Sequence, residues 1–249
     1  EVENLAKVSG AFPYSKIFAI SSLDKNSKFS SKQNICVYHE VPFASKYAYK
    51  IYSYNKNAGT LELDYEKVVP DSFIAPYGYG DFDGDGLTEL IGFNGSKNSD
   101  NVELINLDRE KKDSFNTKAG FIEIGPYISS SDGKGGTVYS GYSSIKYGDI
   151  NGDGKTDIIV FIGSPYNDIT VYTLKNNVFT KLFRTQQNMP GNIGEMKWGR
   201  REIFPIIMGD FNGDGKTDIF LVDLKKILLS TGGDFFAEES ILAYNPQDY

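Results

Sequence analysis

The stretches that decide the fold are GDFDGDGLTE at residues 80–89, GDINGDGKTD at residues 148–157 and GDFNGDGKTD at residues 209–218. Counted from the first Asp of each stretch, side-chain oxygens stand at positions 1, 3, 5 and 9, and glycines stand at positions 4 and 6. Glycine readily adopts the positive φ that a tightly folded loop needs. Calcium takes about six to eight oxygen ligands in a flexible sphere, so this spacing predicts three calcium-binding loops.

The same first nine positions also match the start of an EF-hand loop. An EF-hand requires flanking helices and a bidentate Glu at position 12. Position 12 is instead Gly92, Val160 or Leu221. The acidic residue at position 9 directly precedes short aliphatic runs, which are typical of buried strands. We therefore predict loops that join strand to strand.

The composition of the 249-residue chain is that of a folded domain with a sizeable core, since 40% of its residues are hydrophobic and 24% are charged. The formal net charge is −7, yet the three loops hold ten acidic residues at the metal positions, which leaves about +3 for the rest. Three divalent cations would bring the total to about −1. The acidity therefore belongs to the loops rather than to a general surface field.

Other sequence features bound the class of protein. The single cysteine, Cys36, lies in an apolar run and predicts a buried structural thiol with no intrachain disulfide. No apolar segment approaches the roughly 18 residues that span a membrane. A membrane span is therefore not expected. No basic stripe extends beyond Arg200-Arg201, so a nucleic-acid partner is not expected either. The N-terminus has no signal-peptide pattern, which suggests a mature product or a piece of a longer chain with further domains.

The three loops recur at blade-like intervals of 68 and 61 residues. Each period contains four short predicted strands, which in the unit of the second loop lie at 143–147, 157–162, 169–174 and 178–183. Four antiparallel strands per repeat form one blade of a β-propeller. We predict a single all-β propeller domain over 1–249, with about four blades that either close a small ring or form an arc of a larger one. The predicted blades are 1–70, which lacks a calcium loop, and 71–135, 136–196 and 197–249, which carry one each.

These residues resemble the FG-GAP and VCBS repeats of integrin-α-like β-propellers, whose signature is Gly-Asp-Φ-Asn/Asp-Gly-Asp-Gly-x-Thr-Asp/Glu-Φ-Φ with Φ apolar. The resemblance implies that each loop joins the first two strands of a blade and holds calcium through side chains and one carbonyl. The implied side-chain ligands are Asp81, Asp83, Asp85 and Glu89; Asp149, Asn151, Asp153 and Asp157; and Asp210, Asn212, Asp214 and Asp218. The implied carbonyls belong to Leu87, Lys155 and Lys216.

The loops differ from one another at two informative positions. Position 2 is Phe82, Ile150 or Phe211, an apolar side chain that we expect to fasten each loop to a core. Position 3 is Asp83 in the first loop and Asn in the other two. Because ligand charge raises affinity, the first loop is expected to attract a cation most strongly.

Two segments, 129–144 and 184–201, interrupt the strand rhythm and read as loops. The second contains the only tryptophan, Trp198, followed by Arg200 and Arg201. An exposed Trp flanked by cations is a frequent recognition anchor, and a plug packed on the blades is the alternative. These three residues are the candidate ligand-binding residues.

The predicted function is a non-catalytic recognition, adhesion or scaffold module that lies outside the cell and is stabilised by calcium. The expected partner is a protein or a glycan. A carbohydrate-binding lectin, a scaffold segment of a large exported bacterial toxin and an accessory domain of a secreted hydrolase are the alternatives. The chain has one histidine, His39, and no Gly-x-Ser-x-Gly or phosphate-binding motif, so no enzymatic activity is expected.

Overall fold

The computed structural model shows an all-β chain. It describes residues 16–20, 34–41, 46–70, 76–96, 99–105, 116–123, 128–131, 137–140, 143–162, 168–186, 196–197, 200–201, 206–222 and 225–240. Every regular element in these ranges is a strand. The same ranges contain no apolar helix of membrane-spanning length.

The first half of the chain forms two sheets of four strands. Sheet 1 contains β1 (Lys16–Ile20), β2 (Asn34–Val41), β3 (Lys46–Asn55) and β4 (Thr60–Pro70). Sheet 2 contains β5 (Pro76–Gly80), β6 (Glu89–Ser96), β7 (Ser99–Ile105) and β8 (Asn116–Ile122). A hairpin of β9 (Ile128–Ser131) and β10 (Thr137–Ser140) follows.

The second half repeats this arrangement. Sheet 3 contains β11 (Ser143–Gly148), β12 (Asp157–Ile162), β13 (Asp168–Lys175) and β14 (Val178–Gln186). A short hairpin joins β15 (Met196–Lys197) to β16 (Arg200–Arg201). Sheet 4 contains β17 (Ile206–Gly209), β18 (Asp218–Leu221), β19 (Lys226–Ser230) and β20 (Phe235–Ser240).

All four sheets have the same topology, because each takes its four strands in chain order. The strands pair antiparallel throughout sheets 1, 3 and 4, and β5 pairs antiparallel with β6 in sheet 2. Four antiparallel strands in sequence order are the blade of a β-propeller. The predicted fold class is therefore confirmed, and the four strands predicted within 143–183 are β11 to β14, with ends that differ by at most about three residues.

The two segments that were predicted to be plain loops contain short paired strands. Segment 129–144 includes most of the β9–β10 hairpin, and segment 184–201 includes the end of β14 and the β15–β16 hairpin. Arg184 is a strand residue, and it bonds to the buried carboxylate of Asp168 at the start of the neighbouring β13. Such short hairpins are hard to predict from sequence, because strand pairing defines them and their serine and glycine residues show no hydrophobic pattern.

The chain divides into two compact units, each with its own apolar core. One unit comprises residues 1–81, 85–94 and 103–118, and the other comprises 82–84, 95–102 and 119–249. The core of the first unit contains Ile20, Cys36, Tyr38, Tyr49, Ile51, Leu90 and Ile105. The core of the second contains Ile150, Ile159, Phe161, Ile169, Val171, Ile206, Ile219, Leu221, Leu228 and Phe235. Each core draws on two successive sheets, and the described residues of the inner strands β12 and β13 are buried on both faces except at the end of β13.

The thiol of Cys36 lies inside the first of these cores. It is fully buried and makes no disulfide. Burial raises its pKa to about 12, so the group stays protonated. The predicted structural thiol is confirmed.

The position-2 side chains of the loops do not all behave as predicted. Phe82 is fully buried and packs edge-on against Phe179 and Tyr147 of sheet 3, at ring-centroid distances of 5.7 and 6.0 Å. Ile150 is equally buried in the core that sheets 3 and 4 share. Phe211 is 44% exposed and contacts Phe220 of its own sheet. The prediction is wrong for Phe211, because within the described residues no sheet follows sheet 4 to cover it.

This difference predicts unequal effects of truncation. We expect Phe82→Ala to lower the free energy of unfolding by about 3–5 kcal/mol, since it removes a fully buried ring. Phe211→Ala, the matched control at the same loop position, should cost less than about 1 kcal/mol. Urea denaturation of both variants measures these losses. Equal losses would contradict the packing described here.

Candidate metal centres

Each predicted loop closes the hairpin between the first two strands of its sheet. The loops span β5 to β6, β11 to β12 and β17 to β18, and the paired residues at their bases are Gly80 with Glu89, Gly148 with Asp157 and Gly209 with Asp218. The prediction that the loops join strand to strand is confirmed. All three have the same length between the same paired positions, so they can be compared position by position. They are called loops 1, 2 and 3 below.

The Asp at position 1 organises the backbone of each loop. In loop 2, Oδ1 of Asp149 accepts hydrogen bonds from the N–H groups of Gly152 and Asp153 at 2.7 and 3.1 Å, and Oδ2 accepts one from Gly154 at 2.8 Å. The corresponding distances around Asp210 in loop 3 are 2.7, 3.1 and 2.9 Å. In loop 1, Asp81 accepts from positions 5 and 6 at 3.0 and 2.9 Å. One carboxylate therefore folds the chain around itself.

The oxygens at positions 3 and 5 continue this pattern. In loop 2, Oδ1 of Asn151 accepts from the N–H of Asp153 at 2.9 Å, and Oδ1 of Asp153 accepts from the N–H of Lys155 at 3.0 Å. Loop 3 repeats both bonds at 3.0 and 2.9 Å, and loop 1 repeats the second at 2.9 Å. The glycines at positions 4 and 6 have φ between 74° and 85° in all three loops, as predicted. This conformation is strained for residues with a Cβ.

The carboxylate at position 9 lies beneath the loop rather than at its rim. Glu89, Asp157 and Asp218 are at most 2% exposed. Oδ2 of Asp157 accepts from the N–H of Ile150 at 3.0 Å, and Oδ2 of Asp218 accepts from the N–H of Phe211 at 2.9 Å. In loops 2 and 3, position 9 therefore ties the start of its own loop to the second strand.

Burial has an electrostatic consequence at Asp157. Loss of solvent raises the pKa of its carboxyl group to about 6, although hydrogen bonds from the Thr173 hydroxyl and the Ile150 N–H act in the opposite direction. The nearby carboxylates of Asp153 and Asp149 raise the pKa further. A buried acid among other acids is a site where positive charge is favourable.

Loop 1 contains the clearest acidic cluster. Asp81, Asp83 and Glu89 each place one carboxylate oxygen within 4.8 Å of the others. It is the only such group found among the described residues, and it occurs in the loop that has Asp rather than Asn at position 3. In loop 3, the ammonium of Lys216 bonds to Oδ2 of Asp214 at 2.9 Å and holds the pKa of that carboxyl below its usual range. In loop 3, a side-chain ammonium thus lies against one of the loop carboxylates.

The structure brings most of the predicted site residues together. Positions 1, 3, 5 and 9 of each loop surround one short turn, whereas the carbonyl role of Leu87, Lys155 and Lys216 stays a prediction. Trp198 lies outside the described residues. Arg200 and Arg201 form β16, and their role in binding a ligand also stays a prediction.

Residues that sequence reasoning missed come from neighbouring strands and sheets. The N–H of Thr217, position 8 of loop 3, donates to the carbonyl of Asp149 in loop 2 at 2.6 Å. Ser230 in β19 donates to the carbonyl of Ile150 and to the carboxylate of Asp218. Thr173 in β13 supports Asp157. Thr173 and Ser230 lie outside the loop motif, and the bond from Thr217 of loop 3 to loop 2 depends on packing between sheets, so no spacing in the sequence identifies these contacts.

The raised pKa of Asp157 predicts a pH dependence in protein treated with a chelator. Between pH values of about 4 and 6 the folded state retains a proton that the unfolded state has lost, so ionisation of Asp157 lowers the free energy of unfolding as pH rises. Asp157→Asn removes this effect. From pH about 3.5 to about 7.5, its stability relative to wild type should therefore rise by on the order of 3 kcal/mol.

Urea denaturation at the two pH values measures this change. Asp153→Asn, an exposed acid of the same loop, is the control for removal of one charge. A relative stability of Asp157→Asn that does not change with pH would contradict the assignment.

Comparison with known proteins finds a repeat family that matches the region of loops 2 and 3. The sequence model of the FG-GAP-like repeat matches residues 149–221, which run from position 1 of loop 2 through β18. No curated protein matches the chain.

Solved structures that resemble the chain include two rhamnogalacturonan lyases. The exotype rhamnogalacturonan lyase YesX shares 12% identity at a TM-score of 0.47, covering 89% of this chain and 41% of that one. Rhamnogalacturonan lyase YesW shares 13% identity at a TM-score of 0.25, covering 81% of this chain and 52% of that one. This chain thus spans about half or less of either lyase, and at such low identity and overlap neither carries an argument about activity. The match shows that residues 149–221 resemble an FG-GAP-like repeat, and the four blade-type sheets have the strand order of β-propeller blades.

Proposed function

We propose that this chain is a non-catalytic module whose three loops bind calcium, and that it acts outside the cell by recognising a protein or glycan or by serving as a scaffold. The observation that carries the calcium part is the repeated geometry of the loops. In all three, the carboxylate at position 1 and the oxygen at position 5 accept the same backbone hydrogen bonds. Three copies of one arrangement favour one shared ligand.

The chemistry of the donors favours calcium over other metals. Every proposed side-chain ligand is a carboxylate or amide oxygen, and positions 1, 3, 5 and 9 are supplemented by a carbonyl at position 7. Calcium prefers such hard oxygen ligands and tolerates irregular geometry, whereas magnesium demands a near-ideal octahedron. Zinc favours nitrogen and sulfur ligands, which the loop positions lack.

A bound cation would stabilise the fold where it is electrostatically weakest. Loop 1 brings three carboxylate oxygens close together, and Asp157 of loop 2 is buried at a raised pKa. Calcium supplies the positive charge that offsets this repulsion, and ligands that bind only the folded state raise its stability by mass action. The loops also join the first two strands of their sheets, so a cation that orders a loop would also order the hairpin that contains it.

The extracellular setting is proposed from the affinity that is typical of such calcium sites. Calcium sites of extracellular modules bind at roughly 10⁻⁴ to 10⁻³ M, concentrations that are met outside cells and not in the cytosol. The loop acids are also committed to hydrogen bonds with the backbone, which suits a structural role better than catalysis. The proposed activity is therefore binding through other surfaces, with Trp198, Arg200 and Arg201 as the predicted contact residues.

Removal of calcium should destabilise the protein. We expect a chelator to lower the melting temperature, because each site filled at about 100 times its Kd contributes about 2.7 kcal/mol. Differential scanning calorimetry with and without calcium measures the shift, and elemental analysis should find about three calcium ions per chain. Magnesium at the same concentration is the control and should restore little of the loss. An unchanged melt with no bound calcium would overturn the proposal.

The loops should also differ in affinity in a way that substitution can exchange. Asp83→Asn gives loop 1 the position-3 residue of loops 2 and 3, and Asn151→Asp gives loop 2 that of loop 1. We expect the first change to weaken calcium binding at its loop and the second to strengthen it, each by about tenfold in Kd, or about 1.4 kcal/mol. Competition titration with a chromophoric chelator measures both. Changes of the same sign in the two variants would contradict the role of ligand charge.

Binding and catalysis can be separated directly. We expect the calcium-loaded protein to bind a ligand from a glycan array or a protein pull-down without consuming it, and Trp198→Ala to weaken that binding. A panel of polysaccharide hydrolase and lyase substrates provides the opposing measurement. Turnover that is abolished by changing one carboxylate outside the loops would show an enzyme instead.

A further inference from the structure

We infer that Ser230 couples loops 2 and 3, so that a cation bound in one loop raises the affinity of the other. The inference rests on the proposed function, because it concerns how two of the proposed calcium sites influence each other. Ser230 is not itself a proposed ligand. It is a positioning residue that acts through Asp218 and Ile150.

Ser230 ends β19 and bonds to both loops at once. Its N–H donates to Oδ1 of Asp218, position 9 of loop 3, at 2.8 Å. Its hydroxyl donates to the carbonyl oxygen of Ile150, position 2 of loop 2, at 2.6 Å. One residue therefore holds parts of two different sheets.

The bonds of Ser230 belong to a longer, buried series of hydrogen bonds. Ile150 donates its N–H to Oδ2 of Asp157 at 3.0 Å, and Phe211 donates its N–H to Oδ2 of Asp218 at 2.9 Å. The four inner members, Asp157, Ile150, Ser230 and Asp218, are at most 3% exposed. Hydrogen bonds in such a low-dielectric setting are strong and support one another. This series of hydrogen bonds links the position-9 carboxylates of the two loops.

Direct packing reinforces this connection. The N–H of Thr217 donates to the carbonyl of Asp149 at 2.6 Å. A methyl group added at Gly148 would lie 2.6 Å from Cγ2 of Thr217, and one added at Gly152 would lie 3.2 Å from Cγ of Lys216. The backbone of loop 2 thus rests directly on the end of loop 3, with no space between them.

The sign of the coupling follows from ordering. A cation in loop 3 restrains its carboxylates, including Asp218, and Asp218 fixes the position of the Ser230 N–H. The Ser230 hydroxyl then restrains Ile150, whose N–H holds Asp157 of loop 2. A second cation meets a loop that is already ordered, so it loses less conformational entropy on binding and binds more tightly.

Two backbone amides report the loops separately. The N–H of Gly154 bonds to Asp149 in loop 2 at 2.8 Å, and that of Gly215 bonds to Asp210 in loop 3 at 2.9 Å. Calcium titration followed by their nuclear magnetic resonance signals yields a midpoint for each loop. We expect Asp153→Asn, which weakens loop 2, to raise the Gly215 midpoint by at least about fivefold. In protein that also carries Ser230→Ala the rise should be less than about twofold.

Two further variants test whether the hydroxyl is responsible. Thr231→Ala removes the neighbouring hydroxyl, which bonds to Asp234 within its own turn at 2.9 Å, and should leave the coupling unchanged. Ser230→Thr keeps a hydroxyl and should preserve the coupling. Ser230→Gly replaces the alanine variant if that variant does not fold.

The possible outcomes separate this inference from the function on which it rests. The coupling alone is overturned if calcium binds at both loops but Asp153→Asn raises the Gly215 midpoint equally with and without Ser230→Ala. It is likewise overturned if Asp153→Asn does not raise that midpoint at all. Glycine signals that do not respond to calcium in the wild-type protein overturn the proposed calcium sites and, with them, the coupling.

Discussion

The rest of the structure depends on the hydrogen bonds that the carboxylate at position 1 of each loop accepts from the loop backbone. By accepting N–H groups from the residues that follow, Asp149 and Asp210 turn the backbone back on itself, and the glycines at positions 4 and 6 make the turn sterically possible. The chain then leaves the loop in register with the strand that entered it. The first hairpin of each of these sheets follows from that turn.

A second constraint arises where sheets 3 and 4 meet. Position 2 points away from the oxygens of its loop, and position 9 holds the position-2 N–H from below. Ile150 is therefore presented to the next sheet, whose apolar residues surround it. In loop 2, a polar turn and an apolar core are thus built from adjacent residues, which explains how an acidic loop lies beside a buried interface.

Much of this arrangement could be predicted because it is local. The EF-hand was excluded by Gly92, Val160 and Leu221 at position 12, and aliphatic runs located the second strands correctly. Positive φ at the loop glycines was also predictable. The short hairpins within 129–144 and 184–201 were not, since their serine, glycine and charged residues lack the alternation that marks a half-buried strand.

By itself, the sequence determined the strand-to-strand loops, the blade-like repeat and the oxygen atoms offered to a cation, since these depend on residues a few positions apart. Only the tertiary structure decided which sheet covers each loop. It showed Phe82 and Ile150 buried but Phe211 exposed, and it brought Thr217 of loop 3 and Ser230 of β19 onto loop 2, with Ser230 lying 80 residues from its partner Ile150 along the chain. Such contacts depend on how whole sheets pack, and packing between distant segments leaves no fixed spacing in a sequence.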